Sequence, residues 1–325
     1  MTLRQFRSEA LVGFGLLALC AVVLALTGPH LVQVNDAFRR ACKAAGGCNT
    51  TPNPVLQDDL LLRAALPFLA TVVPALIGIF FGAPLIAREL ETGTFRLAWT
   101  QSITLRRWLA TKLLLIGLAA MVIGGLLTWM VDWWMRPVDQ ALSQDLFDPA
   151  TFSIHGVAPI GYAAFAFTLG VATGVLLRRT VPAMAATLVG FVVARFAAEQ
   201  WIRPNLATPL HKSLPFALSV SASTGTTSVA SGVTIPNAWV LSTAVVDGSG
   251  HALTLPSIVN ACPSLRRPPG ALVHTCITKL GLHTVVTYQP ARHFWPFQWA
   301  EAGIFLAGGL ALCGLVYWWL RRQYM

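Results

Sequence analysis

Arg195 and Glu199 are the residues of this chain best placed to do chemistry in an apolar setting. They stand four positions apart at the end of a run, 181–198, that carries no other charge. A charge kept in hydrocarbon is costly, so one that is retained there marks a path for an ion or a substrate, with Glu199 as its candidate partner. The competing reading is that Arg195 extends its head to the nearby interface. The cysteines offer a second chemistry. Cys20 and Cys313 fall inside apolar runs, whereas Cys42, Cys48, Cys262 and Cys276 fall in polar segments that the topology below puts outside the cell, where an even number of thiols suggests disulfides. Of the three pairings, loop closure favours Cys42–Cys48 and Cys262–Cys276, with a cross-loop pairing as the alternative. A metal site using Cys262, His274, Cys276 and His283 is the rival, but the spacing matches no zinc module. All seven histidines, His30 to His293, fall outside as well. They read as solvated or locally hydrogen-bonded side chains rather than as a pH or metal sensor.

Other chemistry is missing. No G-x-x-x-x-G-K-[ST] phosphate loop occurs, and neither does G-x-S-x-G or H-E-x-x-H. The serines cluster late in the chain without a convincing His/Asp order. The sequence therefore reads as a non-enzyme, and if ATP drives it, the motor is another polypeptide.

The elements that must carry these residues are membrane helices. Of 325 residues, 55% are hydrophobic and only 11% charged, with mean hydropathy +0.63, which excludes an ordinary soluble domain. The net charge of +10 is scattered beside apolar runs with no nucleic-acid-binding module, so no nucleic acid is expected as a partner. Six spans are expected, at about 10–27, 64–87, 113–131, 157–177, 181–198 and 299–320. The first is read as a span rather than a signal peptide because it is long and lacks a convincing cleavage site. Basic residues place both termini inside, most firmly at the tight Arg178-Arg179-Thr180 turn. Trp129, Trp133 and Trp134 mark an outer boundary, and Trp239 is the one tryptophan clearly away from an interface or the 88–112 loop. Pro67, Pro74 and Pro84 are expected to bend the second span, and Gly170-Val-Ala-Thr-Gly174 is a small-xxx-small pattern that lets helices approach. Residues 28–63 read as a polar exterior segment. Before the last span comes a long Ser/Thr/Pro/Val-rich insert, in which Trp239 to Val246, the turn Asp247 to Gly250 and His251 to Leu255 read as strand, turn and strand.

Between the second and third spans lies Arg88 to Lys112, with five basic residues against Glu89 and Glu91. Phe95, Trp99 and Ser102-Ile103 recur at helical spacing while Arg96, Gln101 and Arg106-Arg107 face elsewhere, which predicts a short amphipathic cytoplasmic helix. Glu89-Leu-Glu91-Thr-Gly93-Thr94, then Trp99-Thr-Gln-Ser102 and Arg106-Arg107-Trp108, resembles the first cytoplasmic loop of permease subunits of ATP-binding-cassette exporters of the type-2 class. The fragments 177–184 and 288–295 also resemble those of a subgroup of bacterial permeases, so the resemblance spans the chain.

The resemblance implies an all-α polytopic protein of six transmembrane helices, N-in and C-in, with a coupling helix and a large, partly β extracellular insert. Its divisions would be 1–200 with the coupling helix at 88–112, an insert at 201–298, and a last span with cytoplasmic tail at 299–325. It implies that the coupling helix sits in a groove of a separate ATPase subunit, which would bind ATP and Mg. In that picture Glu91, Gly93 and Thr94 cap and orient the helix, Phe95 and Trp99 anchor it, and Glu89, Arg106 and Arg107 flank it. The protein would pair with a second copy or a paralogue in a bacterial plasma membrane and export an amphipathic, drug-like, peptide or lipid-like cargo. A membrane sensor or immunity-type protein and a lone secondary carrier are the alternatives.

Overall fold

The computed structural model describes residues 2–44, 54–56, 60–93, 105–142, 147, 149–216, 218–219, 230–231, 235, 238–261, 276 and 278–324. The chain divides into two compact units. One is residues 1–144, 148–203 and 295–325; the other is 145–147 with 204–294. Among the described residues, six helices are long and apolar enough to cross a membrane: Leu17–Ala44, Leu60–Thr92, Leu109–Asp139, Ala158–Leu177, Thr180–Asn205 and Ala291–Gln323.

Helix α1, Thr2–Ala44, continues well past the expected end near Thr27, and the segment read as polar and exterior begins as helix. The reason is a buried stripe that continues past the exposed Pro29. Leu24, Gly28, Leu31, Asn35 and Cys42 recur at the spacing of one helix face, but glycine, asparagine and cysteine disguise it as polar. Helix α4, Leu105–Leu142, likewise outruns the expected end at Val131. Val131, Trp134, Met135 and Val138 carry its buried face onward. Trp134 is therefore a core residue at 1% exposure, donating from Nε1 to Thr27 Oγ1 at 2.9 Å, and not an interfacial one. Trp129 and Trp133 do stay exposed.

The second span is one helical rod in three pieces: α2, Leu60–Ile77; a π-helical turn, Gly78–Gly82; and α3, Ala83–Thr92. Proline explains the irregularity. Pro84 has no N–H to donate, and the wider turn before it closes on the bond from Ala83 N–H to Gly78 O. Gly93, at φ 70°, ends α3 in the left-handed conformation.

Helix α6, Ala158–Leu177, is the central one, the most deeply buried of the six spans. Small residues make that position tenable. A Cβ on Gly170 would lie 2.2 Å from Gly78 O, and one on Gly174 would lie 2.5 Å from Ala83 O. The small-xxx-small pattern thus seats α6 backbone to backbone on the π turn and α3, with Gly78 and Gly82 meeting the carbonyls of Ala166 and Phe167 in return. Phe167, Val171 and Val175 then pack with Ile77, Ile86, Leu109, Ile116 and Val316. The short helix α5, Pro149–Ile154, precedes α6; α7, Thr180–Ala197, follows it and runs into a second π turn, Ala198–Ile202.

The other unit contains an antiparallel sheet in the order β1-β6-β4-β5, formed by Leu210–Pro215, His283–Gln289, Trp239–Val246 and Ala252–Leu253, in addition to the short pair β2 Leu218–Ser219 and β3 Ala230–Ser231. The expected strand, turn and strand is β4, its turn and β5. Asp247 Oδ1 holds the turn by accepting from the Ser249 and His251 amides, and Gly250 takes φ 87°. Phe216, Ile258 from α8 (Leu255–Ala261) and Leu282 form its core. Trp239 stacks on Phe147 at 5.9 Å, which accounts for a tryptophan away from any membrane boundary.

Candidate functional site

Chain direction alternates from span to span, so the bundle gathers two sets of polar residues at its opposite ends. The first set surrounds the ends of the 88–112 loop. Glu89 pairs with Lys112, joining α3 to α4 across the loop. Glu91 Oε2 accepts from Thr180 Oγ1 at 2.8 Å and from Thr180 N at 3.3 Å, so this carboxylate sits at the first turn of α7. Arg178, in the turn between α6 and α7, donates to Gln323 near the end of α9, Phe294–Tyr324. Five spans, the second to the last, are thereby tied at one end. Thr94, Phe95 and Trp99, with the expected amphipathic helix, lie outside the described residues. Arg106 and Arg107 belong to the first turn of α4, and Gly93 turns the chain out of α3.

The second set lies in the bundle at the other end, and its hub is Glu301 of α9, 1% exposed. Its Oε1 accepts from Tyr162 Oη at 2.6 Å, Arg195 Nη1 at 3.1 Å and Arg203 Nη2 at 3.2 Å; its Oε2 accepts from Arg203 Nε at 3.0 Å. Each guanidinium also lies on a ring face: Arg195 over Tyr162 at 3.8 Å and Arg203 over Phe152 at 3.9 Å. Arg195 Nη2 reaches Ser153 Oγ at 2.7 Å. Arg195 thus neither pairs with Glu199, four residues on, nor extends to the interface. Its carboxylate comes from the last span, and Glu199 acts electrostatically on Arg203 instead.

One turn before Glu301, Gln298 Oε1 accepts from Ala158 N at 2.9 Å and its Nε2 donates to Phe152 O at 2.9 Å. The fit requires Gly156, at φ 74°, because a Cβ there would be 2.7 Å from the Gln298 side chain. On the far side of the same strap, His155 is buried between two carboxylates of α4. Its Nδ1 bonds Asp132, and its Nε2 is 3.1 Å from Asp139 Oδ2. Burial opposes the charging of His155, but the two aspartates outweigh it and raise the pKa to about 9, so the imidazolium persists at neutral pH. This histidine is not a solvated one. Residues 149–158 therefore form a strap bound to α4 on one side and to α7 and α9 on the other.

Fixed, mutually compensating charges across packed spans can lock helices together or be exchanged when they move. Among the described residues, no group of three or more His, Cys, Asp or Glu side chains is arranged to hold a metal ion. Glu301, Arg203, Tyr162, Ser153, His155, Asp132 and Asp139 all escaped the sequence reading. A signal existed for one of them, since Glu301 is the sole acid in α9. Of the cysteines, Cys20 and Cys313 are free thiols, Cys42 and Cys276 are not, and Cys48 and Cys262 lie outside the described residues.

Two family models match the chain. One, described as ABC-2 membrane transporter related, covers residues 14–203. The other, a domain of unknown function designated DUF8319, covers 205–293. Their border falls where the first compact unit gives way to the second, between Arg203 and Pro204. No curated protein and no solved structure matches.

Proposed function

The chain belongs to the ABC-2 membrane transporter related family, and from that premise we propose that it is the permease subunit of an ATP-driven exporter, worked by a separate ATPase that docks on the 88–112 loop. The observation that carries this reading is the set of ties at the loop's two ends. Glu89–Lys112 joins the second span to the third, Glu91–Thr180 the second to the fifth, and Arg178–Gln323 the fourth-to-fifth turn to the last. A push on the loop is then delivered to the five spans from the second to the last rather than to one helix. In this reading that end faces the cytoplasm, ATP and Mg are bound by the partner, two permease chains work together in a bacterial plasma membrane, and an amphipathic cargo passes between span bundles. The unit of 204–294 faces the exterior.

Phe95 and Trp99 are the anchors that insert into the ATPase. Replacing both by aspartate is expected to weaken the complex by at least about 30-fold per anchor, as for buried aromatic hot spots. The measurement is co-purification of the ATPase with a membrane-inserted variant, and undiminished recovery sinks the assignment.

The exterior placement also carries the proposal that Cys42 bonds Cys48 and Cys262 bonds Cys276. Mass spectrometry of the unreduced, alkylated protein is expected to find two internal cross-links and two alkylated thiols, at Cys20 and Cys313. Alkylation of all six rejects the pairing.

A further inference from the structure

The row Arg195, Glu199, Arg203 places a carboxylate four residues from an arginine on either side, the spacing at which opposite charges on one helix normally meet. Here they do not. Both arginines turn to Glu301 of α9, and Glu199 has no hydrogen bond or ion pair among the described residues. It stands half-buried in the π turn Ala198–Ile202, which the Arg203 amide closes on Ala198 O, and its charge still acts on Arg203. That arginine has a donor to spare, since Nη1 is buried and lacks an acceptor among the described residues. Two guanidinium groups thus share one carboxylate while a second lies idle on their own segment.

We propose that Glu301 and Glu199 are alternative partners in a charge-exchange latch at the bundle end opposite the 88–112 loop. With α9 seated, Glu301 holds Arg195 and Arg203. When α9 withdraws, the two guanidinium groups swing to Glu199 within one segment. A buried charge left alone is the main cost of parting packed spans that share an ion pair, and a waiting carboxylate removes it. The row therefore gives α9 two discrete positions relative to α7. As the gate of an exporter the latch rests on the reading above; the exchange of partners belongs to this chain and is measured without an ATPase.

The Ala158 amide reports whether α9 is seated. It lies in the first turn of α6, where no intrahelical acceptor exists, and donates instead to Gln298 Oε1 of α9. Its hydrogen exchange is read by mass spectrometry on the full chain in detergent, for the native protein and for Glu199→Gln. The seated form makes no bond to Glu199, so the substitution penalises only the withdrawn form. Exchange is expected to slow by about two- to five-fold, the value of two charge pairs at this spacing. Unchanged exchange overturns the latch. Faster exchange overturns it too, and makes Glu199 a fixed support of Arg203. A second measurement is the unfolding temperature: Glu199→Gln alone should shift it by less than about 1 °C, but should lower it by about 3 to 6 °C more in a Glu301→Gln background, where Glu199 has become the arginines' carboxylate. Equal shifts in both backgrounds overturn the proposal. The exchange experiment leaves Glu301 intact, so the test holds even where Glu301→Gln accumulates poorly.

Discussion

Glu301→Ala is expected to destabilise the folded protein by about 3 to 5 kcal/mol, the range for a buried ion pair that loses one partner. Two guanidinium groups then remain in the bundle without their carboxylate. Arg203 is the worse off, since it is fully buried and three of its bonds or ring contacts run to Glu301 and Phe152. Tyr162 Oη loses its acceptor as well. The measurement is the unfolding temperature and monodisperse yield of detergent-purified protein. Losing the pair differs from replacing it: Arg195→Met, Arg203→Met and Glu301→Leu together should recover most of the stability, because an apolar set avoids the desolvation cost. A Glu301→Ala protein as stable as the parent would show that the cluster does not hold the spans together.

Gly170→Leu should be comparably damaging, at about 3 kcal/mol or more. The three atoms nearest to a Cβ there are all backbone: Gly78 O at 2.2 Å, Ala83 N at 2.7 Å and Gly82 Cα at 2.9 Å. No rotamer escapes that crowding, so α6 must back away from the second span. Gly303→Ala is the control. It meets nothing within 4 Å and should be neutral or slightly stabilising. The same thermal measurement reads both, and equal effects of the two would discredit the close approach.

Apolar length was easily read from the residues. Six spans, the strand-turn-strand around Asp247 to Gly250 and the close approach at Gly170 and Gly174 all follow from hydropathy, alternation or residue size, which are local properties. Helix ends were read less well. On α1 the buried stripe is made partly of Gly28 and Asn35, and on α4 it is flanked by Asp132 and Arg136, so composition signals a boundary where packing does not. The charge cluster was largely illegible. Arg195 was identifiable as a charge in an apolar run, and its natural partner by spacing was Glu199. The partner that it takes is 106 positions away, on a helix reached only after the whole β unit. Spacing rules describe one helix at a time, whereas Glu301 meets residues of three other segments.

The π turn at Gly78–Gly82 also decides which way the end of the second span faces. It holds one residue more than an α-helix would over the same rise, which leaves α3 rotated by about 100° from the phase that α2 alone would set. Pro84 pins that surplus in place, and the phase it sets turns Ala83, Ile86 and Ala87 into the bundle while Glu89 and Glu91 meet Lys112 and Thr180. Gly78 and Gly82 leave room at the turn for the carbonyls of Ala166 and Phe167. The second span is therefore a keyed shaft, its two halves indexed to one another by a single extra residue.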